Sequence, residues 1–287
     1  MPVKRAPKIF LVCSPKALPK RKWVEAAKTA STINPVNHAP VEMLARAMRG
    51  FRPSPLHIAV MTTKYWGTKG VALSVGFLDT PSTALKTRIV SHLNAWGKTA
   101  NVRFRQTNGT AQVRIARAGG ANGGYWSYLG TDILSIPLDQ ATMNLEAFAM
   151  DTPESEFHRV VRHEAGHTLG FPHEHMRRAL VKLIDPKKAV ALFKATQGWT
   201  EQEVRQQVLT PIEESSLVGT LADPKSIMCY QIPGSITKNG KPIAGGLDID
   251  GSDFTFAAKI YPKTGAAPSK VAMPTRRAAR KSRRRRR

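Results

Sequence analysis

The stretch HEAGHTLGFPHEH, residues 163–175, gathers four of the chain's eight histidines and two glutamates into thirteen residues. His163 and His167 are four residues apart, so on a helix both imidazoles lie on one face, close enough to share one ion. Gly170 can end that helix in a left-handed turn, after which His173 swings back toward the first two rings. Three nitrogen ligands with one open position are typical of a catalytic zinc site, whereas structural zinc sites usually close with four ligands.

Glu164 follows the first histidine directly, where a carboxylate reaches a water on the metal instead of the metal itself. A bare H-E-x-x-H arises by chance fairly often. Adding Gly170 and His173 at fixed spacing lowers the chance expectation to roughly one in ten thousand. The alternative is a polar helix end whose histidines are merely solvated, and this spacing disfavours it.

The residues before this stretch predict the helix that carries it. Thr152 can cap the helix, Pro153 suits its first position, and the acidic Glu154 and Glu156 complement its first turn. We expect the helix to run from there to Gly170.

Sequence patterns upstream predict strands and one further helix. Every second residue of Val71–Phe77 is apolar, which predicts a half-buried strand. Residues 80–98 predict a helix that opens at Thr80-Pro81 and has one apolar face. That face consists of Leu85, Ile89, Leu93 and Trp96.

The remaining elements follow weaker patterns. Residues 101–107, 112–118 and 125–139 predict further strands, and the glycine-rich residues 119–124 predict a flexible connector. A phosphate-binding loop is disfavoured there because no Lys-Ser/Thr pair follows. Downstream, we expect helices near residues 185–196, 200–209 and 252–262.

Charge divides the chain into three parts. Residues 1–55 carry a net charge of +9 and residues 263–287 carry +11, so residues 56–262 hold only +4 of the total of +24. We therefore predict a basic, proline-containing segment at 1–55, a catalytic domain at 56–262 and a disordered Arg-rich tail at 263–287. The first segment should be mostly extended or irregular, with one short helix near residues 41–48, and it could be a removed pro-segment.

Composition bounds the class of protein. A chain of 287 residues with 41% hydrophobic residues can build one large domain or two small ones. No apolar run is long enough to span a bilayer, and no secretory signal is legible at the N-terminus. Two cysteines, Cys13 and Cys229, make no disulfide framework, and we expect two free thiols.

The motif HEAGHTLGFPH resembles the H-E-x-x-H-x-x-G-x-x-H signature of the metzincin metalloproteases. The downstream SIMCY, residues 226–230, is similar to the Met-turn of that clan. Glu174 after the third histidine, together with Phe171 and Arg177, is similar to the astacin family within the clan. The resemblance covers roughly residues 66–261. It implies an α+β, zincin-like metzincin fold, with a twisted, mostly parallel sheet and an active-site helix in an N-terminal subdomain. A smaller irregular and helical C-terminal subdomain lies below the zinc cleft.

The resemblance also implies roles at the site. His163, His167 and His173 bind Zn²⁺, and Glu164 activates a zinc-bound water as general base. Tyr230 is a switchable further zinc ligand and stabilises the oxyanion, while Met228 forms the floor below the metal. The implied function is a zinc-dependent metalloendopeptidase, of the EC 3.4.24 type, that hydrolyses peptide bonds in a protein or peptide substrate.

Several features depart from the family. The four cysteines of animal astacins are missing, and no Asp precedes Asp79 to act as the propeptide Asp. Cys13, in LVCSPK, matches the thiol motif of matrixin propeptides poorly, and an ordinary thiol in a loose segment is the preferred interpretation. If residues 1–55 stay attached, we expect Glu174 to lack the trimmed N-terminus that it meets in astacins. We assign no role to His175 and expect it at the surface.

Two other functions stay open at this stage. One is a zinc-binding pseudoprotease without turnover, against which Glu164 argues, because a purely structural site needs no base. The other is binding of nucleic acid or another anionic surface by the Arg-rich tail. We expect a monomer. The family resemblance implies secretion, while the missing signal leaves a cytoplasmic location or non-classical export open.

Overall fold

The structure is a computed structural model, and it describes residue 13, residues 16–47, residue 50, residues 52–211 and residues 222–263. The predictions for the Arg-rich tail beyond Lys263 and for Met48, the end of the short N-terminal helix, lie outside the described residues. The division of the chain near residue 55 stays a prediction.

A five-stranded sheet forms the centre of the fold, in the order β2-β1-β3-β5-β4. Its strands are Val71–Phe77 (β1), Val102–Gln106 (β2), Val113–Ala116 (β3), Tyr125–Ser127 (β4) and Met143–Leu145 (β5). The first four strands of this order are parallel, with Val71 opposite Val102 and Val75 opposite Val113. β4 runs antiparallel to β5 at one edge. The predicted α+β fold with a mostly parallel sheet is confirmed.

Helices surround this sheet and continue beyond it. Their bounds are Lys20–Ile33 (α1), Ala39–Ala47 (α2), Pro55–Met61 (α3), Thr83–Leu93 (α4), Glu154–Glu156 (α5), Arg162–Thr168 (α6), Arg178–Val181 (α7), Pro186–Gln197 (α8), Glu201–Val204 (α9) and Gly251–Ile260 (α10). π-helical turns join α5 to α6 at Phe157–Val161 and extend α9 at Arg205–Leu209. None of the described helices combines the length and the apolar character that crossing a bilayer requires.

Two predicted helix caps are wrong by one or two residues. Ser82, not Thr80, caps α4, because its hydroxyl accepts a hydrogen bond from the Leu85 amide at 3.3 Å. The active-site helix begins at Glu154 after Pro153, while the Thr152 hydroxyl accepts a bond from the Ala149 amide instead.

The strand predicted over residues 125–139 is much shorter than expected. After β4 the chain turns at Gly130, whose φ of 47° no strand adopts, into a 3₁₀ turn at Gly130–Ser135. The amide of Thr131 donates to the Lys64 carbonyl there, so this turn packs against the chain that precedes β1. The sequence did not predict β5, because its three residues show no distinctive hydrophobic pattern.

The described residues 16–47 of the N-terminal segment are mostly helical, and for them the prediction of an irregular chain is wrong. α1 buries a face of alanines, Ala26, Ala27 and Ala30, which carries a weak hydrophobic period but allows close packing. α2 overlaps the short helix that the sequence predicted near residues 41–48.

Two buried asparagines join this helical segment to the catalytic part of the chain. The Asn37 amide donates to the carbonyls of Ala30 and Tyr65, both at 2.8 Å, and its oxygen accepts a bond from the Tyr65 amide at 2.8 Å. Asn34 donates to the Trp66 carbonyl at 2.6 Å. Buried polar groups whose hydrogen bonds are all made favour a single arrangement of the chain. Asn34 and Asn37, which follow α1, therefore hold residues 63–66 in place.

The main core lies between the sheet, α4, the active-site helix and α10. Its largest fully buried side chains include Trp96, Phe148, Phe157 and Tyr261. A second buried cluster lies among α7, α8, α9 and the segment after the Met-turn, with Tyr230 among its members. The cleft between these two clusters holds the residues that the sequence singled out.

Candidate metal centre

Three imidazoles converge at the end of the active-site helix, as the spacing predicted. α6 carries His163 and His167 one turn apart, and both are buried. The helix stops where Gly170 takes a φ of 92°, and the chain reverses to bring in His173. The Nε2 atom of His173 lies 3.2 Å from that of His163 and 3.0 Å from that of His167.

Hydrogen bonds behind the rings point the free nitrogen lone pairs at one another. Nδ1 of His163 lies 2.6 Å from the Ile227 carbonyl, and Nδ1 of His167 lies 2.8 Å from the Phe171 carbonyl. A carbonyl only accepts, so each Nδ1 carries the proton and each Nε2 carries a lone pair. This outer support is typical of metal-binding histidines.

Burial keeps these rings neutral. It lowers the pKa of His163 to about 4 and the pKa values of His167 and His173 well below their usual range. Uncharged lone pairs so close together repel unless a cation lies between them. Ligands of a tetrahedral zinc ion, each at about 2.0–2.1 Å from the metal, are separated by roughly 3.3 Å. The residues present therefore fit a zinc ion.

Glu164 lies beside this group with its carboxyl fully buried. Neither carboxyl oxygen makes a well-formed hydrogen bond among the described residues, and the group nearest to pairing with it is the Cys13 thiol. Burial raises the pKa of this carboxyl to about 8. The group also lines a cavity next to His163, together with Tyr125 and Tyr230. A buried acid facing a cavity without a partner costs stability, and such groups are typical of reactive sites.

Met228 packs directly beneath the helix, as expected for the floor of the site. A Cβ on Gly166 would lie 2.5 Å from the Met228 sulfur, so a larger residue at this helix position would displace the Met228 side chain. The Ser226 hydroxyl donates to Asp253 at 2.6 Å and accepts the Met228 amide at 3.0 Å, while the Ile227 amide donates to Asp253 at 2.8 Å. These bonds fix the turn that holds Met228.

Solved structures with this fold identify the family. A structure of myroilysin, an astacin-family metalloprotease, is 30% identical, with a TM-score of 0.65, over 70% of this chain and 96% of the myroilysin chain. A crystal structure of myroilysin is also 30% identical, with a TM-score of 0.54, over 70% of this chain and 86% of that one. The chain belongs to the astacin-like metzincin metalloproteases.

A more distant structure is High choriolytic enzyme 1 (HCE-1), a hatching enzyme zinc-protease from Oryzias latipes, the medaka fish. It is 17% identical, with a TM-score of 0.46, over 68% of this chain and 92% of that chain. No protein-family model and no curated protein sequence matches the chain. The resemblance predicted from HEAGHTLGFPH and SIMCY is confirmed, and zinc is the cofactor of this astacin-like chain.

Cys13 lies at the metal site, and its interpretation as an ordinary thiol in a loose segment is wrong. Its ligand atom and those of His163, His167 and His173 all lie within 4.8 Å of one another. The residue is buried and forms a parallel bridge with Tyr125 of β4. No local sequence pattern predicts this contact, because Cys13 precedes the zinc motif by 150 residues. As predicted, Cys13 and Cys229 are free thiols.

Tyr230 contacts the same N-terminal residue in this astacin-like structure. Its hydroxyl donates to the Cys13 carbonyl, and its ring centroid lies 4.3 Å from that of His173. The structure thus brings Tyr230 next to the predicted zinc ligands. Its role as a zinc ligand and oxyanion donor stays a prediction.

The two residues after the third histidine have partners within the chain. Glu174 has a partner within the chain, because Arg177 donates to its carboxyl at 2.9 Å and the Asp223 amide does so at 3.1 Å. His175 is fully buried, and its predicted surface position is wrong. Its ring stacks on Tyr230, a contact for which the sequence gave no signal.

A second group with metal-ligand chemistry lies on the far side of the helix, at His92, Glu154 and His158. Nε2 of His92 lies 3.0 Å from the Glu154 carboxyl. Arg162 donates to His92 Nδ1 at 3.3 Å, lies 3.1 Å from His158 Nε2, and pairs with Asp248 at 2.6 Å. A guanidinium already occupies the lone pairs that a metal would need, so this arrangement favours an ion-pair network that braces the helix.

Replacing Gly170 by Ala should destabilise this astacin-like fold by about 3 kcal/mol. An alanine pays for the left-handed backbone, and its Cβ would lie 2.9 Å from the Lys64 carbonyl oxygen, which cannot move independently. Gly198→Ala is the control, since Gly198 has a φ of 67° and no atom within 4 Å of an added Cβ. It should cost only about 1 kcal/mol. Denaturant unfolding measures both, and equal losses would contradict the argument.

Proposed function

We propose that this chain is a zinc-dependent endopeptidase with Glu164 as its general base and proton donor. The observation that carries the proposal is the Glu164 carboxyl, which is fully buried beside three converging imidazoles. A metal site that served only the fold would gain nothing from an acid there and would carry its desolvation cost. This argues against a pseudoprotease.

The chemistry divides between the cofactor and the protein. Zinc held by His163, His167 and His173 supplies Lewis acidity, which lowers the pKa of a water and polarises a peptide carbonyl. Glu164 takes up a proton on a carboxyl oxygen and returns it to the departing amine.

Tyr230 and β4 position the peptide under this proposal. The Tyr230 hydroxyl donates to a backbone carbonyl in the cleft, that of Cys13, which is the interaction an oxyanion needs. β4 is an edge strand, and its Ser127 carbonyl accepts the Lys16 amide at 3.3 Å. An extended substrate can pair with the same edge.

We propose further that the chain is a latent form. Cys13 and Lys16 pair with β4, in the place proposed for substrate, and the Cys13 sulfur lies within 4.8 Å of a ligand nitrogen of each of the three histidines. A thiol next to zinc loses its proton and binds as thiolate. Removal or displacement of this short arm, whose described residues are Cys13 and Lys16, would open the site.

Removing zinc tests the proposed activity. With a quenched peptide as substrate and Cys13→Ser as the unblocked protein, a chelator should abolish turnover, and added Zn²⁺ should restore it. The same treatment should lower the thermal midpoint, because a ligand that binds only the folded state stabilises it. The control is the chelator already saturated with zinc. Turnover that persists in protein shown by elemental analysis to lack metal would overturn the proposal.

A further inference from the structure

His175 forms a flat support for Tyr230. The two ring centroids are 3.9 Å apart and the ring planes differ by 19°. His173 and His163 also lie near Tyr230, but at 4.3 Å with a 56° angle and at 6.5 Å respectively. His175 is thus the histidine whose ring lies closest to Tyr230, face to face with it.

The His175 ring is itself held in place. It is fully buried, and its Nε2 donates to the Gln207 carbonyl at 2.9 Å. That carbonyl belongs to the π-helical turn Arg205–Leu209, which the Thr200 capping box and Val208 tie to the second core cluster. The support therefore rests on a rigid element outside the metal ligands.

The Tyr230 hydroxyl needs such a support. A tyrosine ring is fixed by two side-chain torsions, and stacking on a rigid neighbour selects one orientation of them. In that orientation the hydroxyl reaches the Cys13 carbonyl in the cleft. A Tyr230 ring without the His175 face would sample other orientations, and the hydroxyl would leave that carbonyl for part of the time.

We propose that His175 is a positioning residue, which holds the Tyr230 hydroxyl on the carbonyl of whatever chain lies in the cleft. In the latent form that carbonyl belongs to Cys13. In the active form it is the carbonyl of the peptide bond to be cut, and this second half rests on the proposed function.

Alkylation of Cys13 in the full-length protein tests the first half without any activity measurement. The rate is followed by peptide mass spectrometry in the parent, His175→Ala, Tyr230→Phe and the double variant. Each single variant should raise the Cys13 rate by about tenfold, and the double variant should not exceed Tyr230→Phe, because both changes remove one interaction. Additive increases, or no increase in His175→Ala, would overturn the proposal.

Two matched controls separate positioning from loosening of the fold. Cys229 is a second buried thiol in the same cluster, and its alkylation rate should stay at the parent value, whereas general unfolding would raise both rates. His175→Phe keeps a flat ring and loses the Gln207 bond, and it should restore the Cys13 rate to within about twofold. A Phe variant that behaves like the Ala variant would overturn the stacking argument.

Peptide cleavage in the Cys13→Ser background tests the second half. His175→Ala should lower kcat by about tenfold with little change in KM, and this loss should vanish when Tyr230 is already Phe. An equal loss of kcat with Tyr230 present and with Tyr230→Phe would overturn the second half of the proposal. Absence of turnover in Cys13→Ser itself would count against the proposed function, while the alkylation result would stand.

Discussion

Replacing Glu164 by Gln should lower kcat by about a thousandfold or more while zinc stays bound. Gln keeps the size and shape of the side chain but can neither accept nor return a proton, and positioned acid–base groups contribute about 10²–10⁴ to a rate. Glu164 is not among the converging nitrogen ligands, so metal content should match the parent. Peptide turnover and elemental analysis are measured together, in the Cys13→Ser background.

The control for this change is Glu201→Gln. Glu201 lies on the surface at the start of α9 and pairs with Arg205 at 2.6 Å, far from the histidines in sequence and environment. Exposed pairs of this kind contribute little, so turnover and stability should stay close to the parent values. A Glu164→Gln protein that turns over like the Glu201→Gln control would show that Glu164 is not the base.

A Glu164→Gln protein should also be more stable than its parent. The parent buries a carboxyl whose pKa burial raises to about 8, so at neutral pH the folded chain gives up the ionisation that the unfolded chain has, whereas an amide has no ionisation to give up. The Glu164→Gln change would then raise stability and lower activity. This is expected where a residue needed for catalysis reduces the stability of the fold.

Sequence reasoning succeeded where the physical cause is local. The helical spacing of His163 and His167 and the turn at Gly170 lie within eight residues, so short-range geometry determines them. The alternation in Val71–Phe77 likewise reports one buried face of one strand. Elements of three residues, such as β5, contain too little periodicity to be recognised.

Sequence reasoning failed where the cause is tertiary. His175 is polar and follows the ligand run, yet the Tyr230 ring and the Gln207 carbonyl make its burial favourable. The alanine face of α1 gains its packing partners from distant parts of the chain, such as Ile136, which lies with Ala26 in one buried cluster. Cys13 is placed by pairing with β4, a contact that no spacing along the chain encodes.

This tertiary placement also separates two parts of the predicted N-terminal segment. Cys13 and Lys16 contact the cleft and β4, where a peptide substrate is proposed to bind. α1 instead supports residues 63–66 through Asn34 and Asn37, next to the Gly170 turn. Cys13 and Lys16 can leave the cleft without disturbing the histidine ligands. Loss of α1 and the asparagines that follow it would instead remove hydrogen bonds next to the Gly170 turn, which leads to the third ligand, His173.

Replacing Cys13 by Ser should therefore convert the uncut chain from an inactive to an active form, with peptide turnover raised by at least about a hundredfold. Serine occupies the same space, but its hydroxyl stays protonated at neutral pH and is a poor zinc ligand beside a thiolate. After the loss of one strong ligand bond, the described contacts of the arm are those with Tyr230, β4 and the Trp126 ring, and a peptide in excess can displace them. Turnover of a quenched peptide is measured on protein shown to be uncut by mass spectrometry.

Cys229→Ser is the matched control for this prediction, because it removes the other buried thiol and leaves the Cys13 sulfur among the three histidines. The Cys229→Ser protein should show the same low peptide turnover as the parent. Cobalt substitution adds a readout independent of turnover: the thiolate-to-metal charge-transfer absorption should be present in the parent and in Cys229→Ser, and absent in Cys13→Ser. Equal turnover in all three proteins, with equal spectra, would mean that the Cys13 sulfur does not bind the metal and that the arm does not block the site.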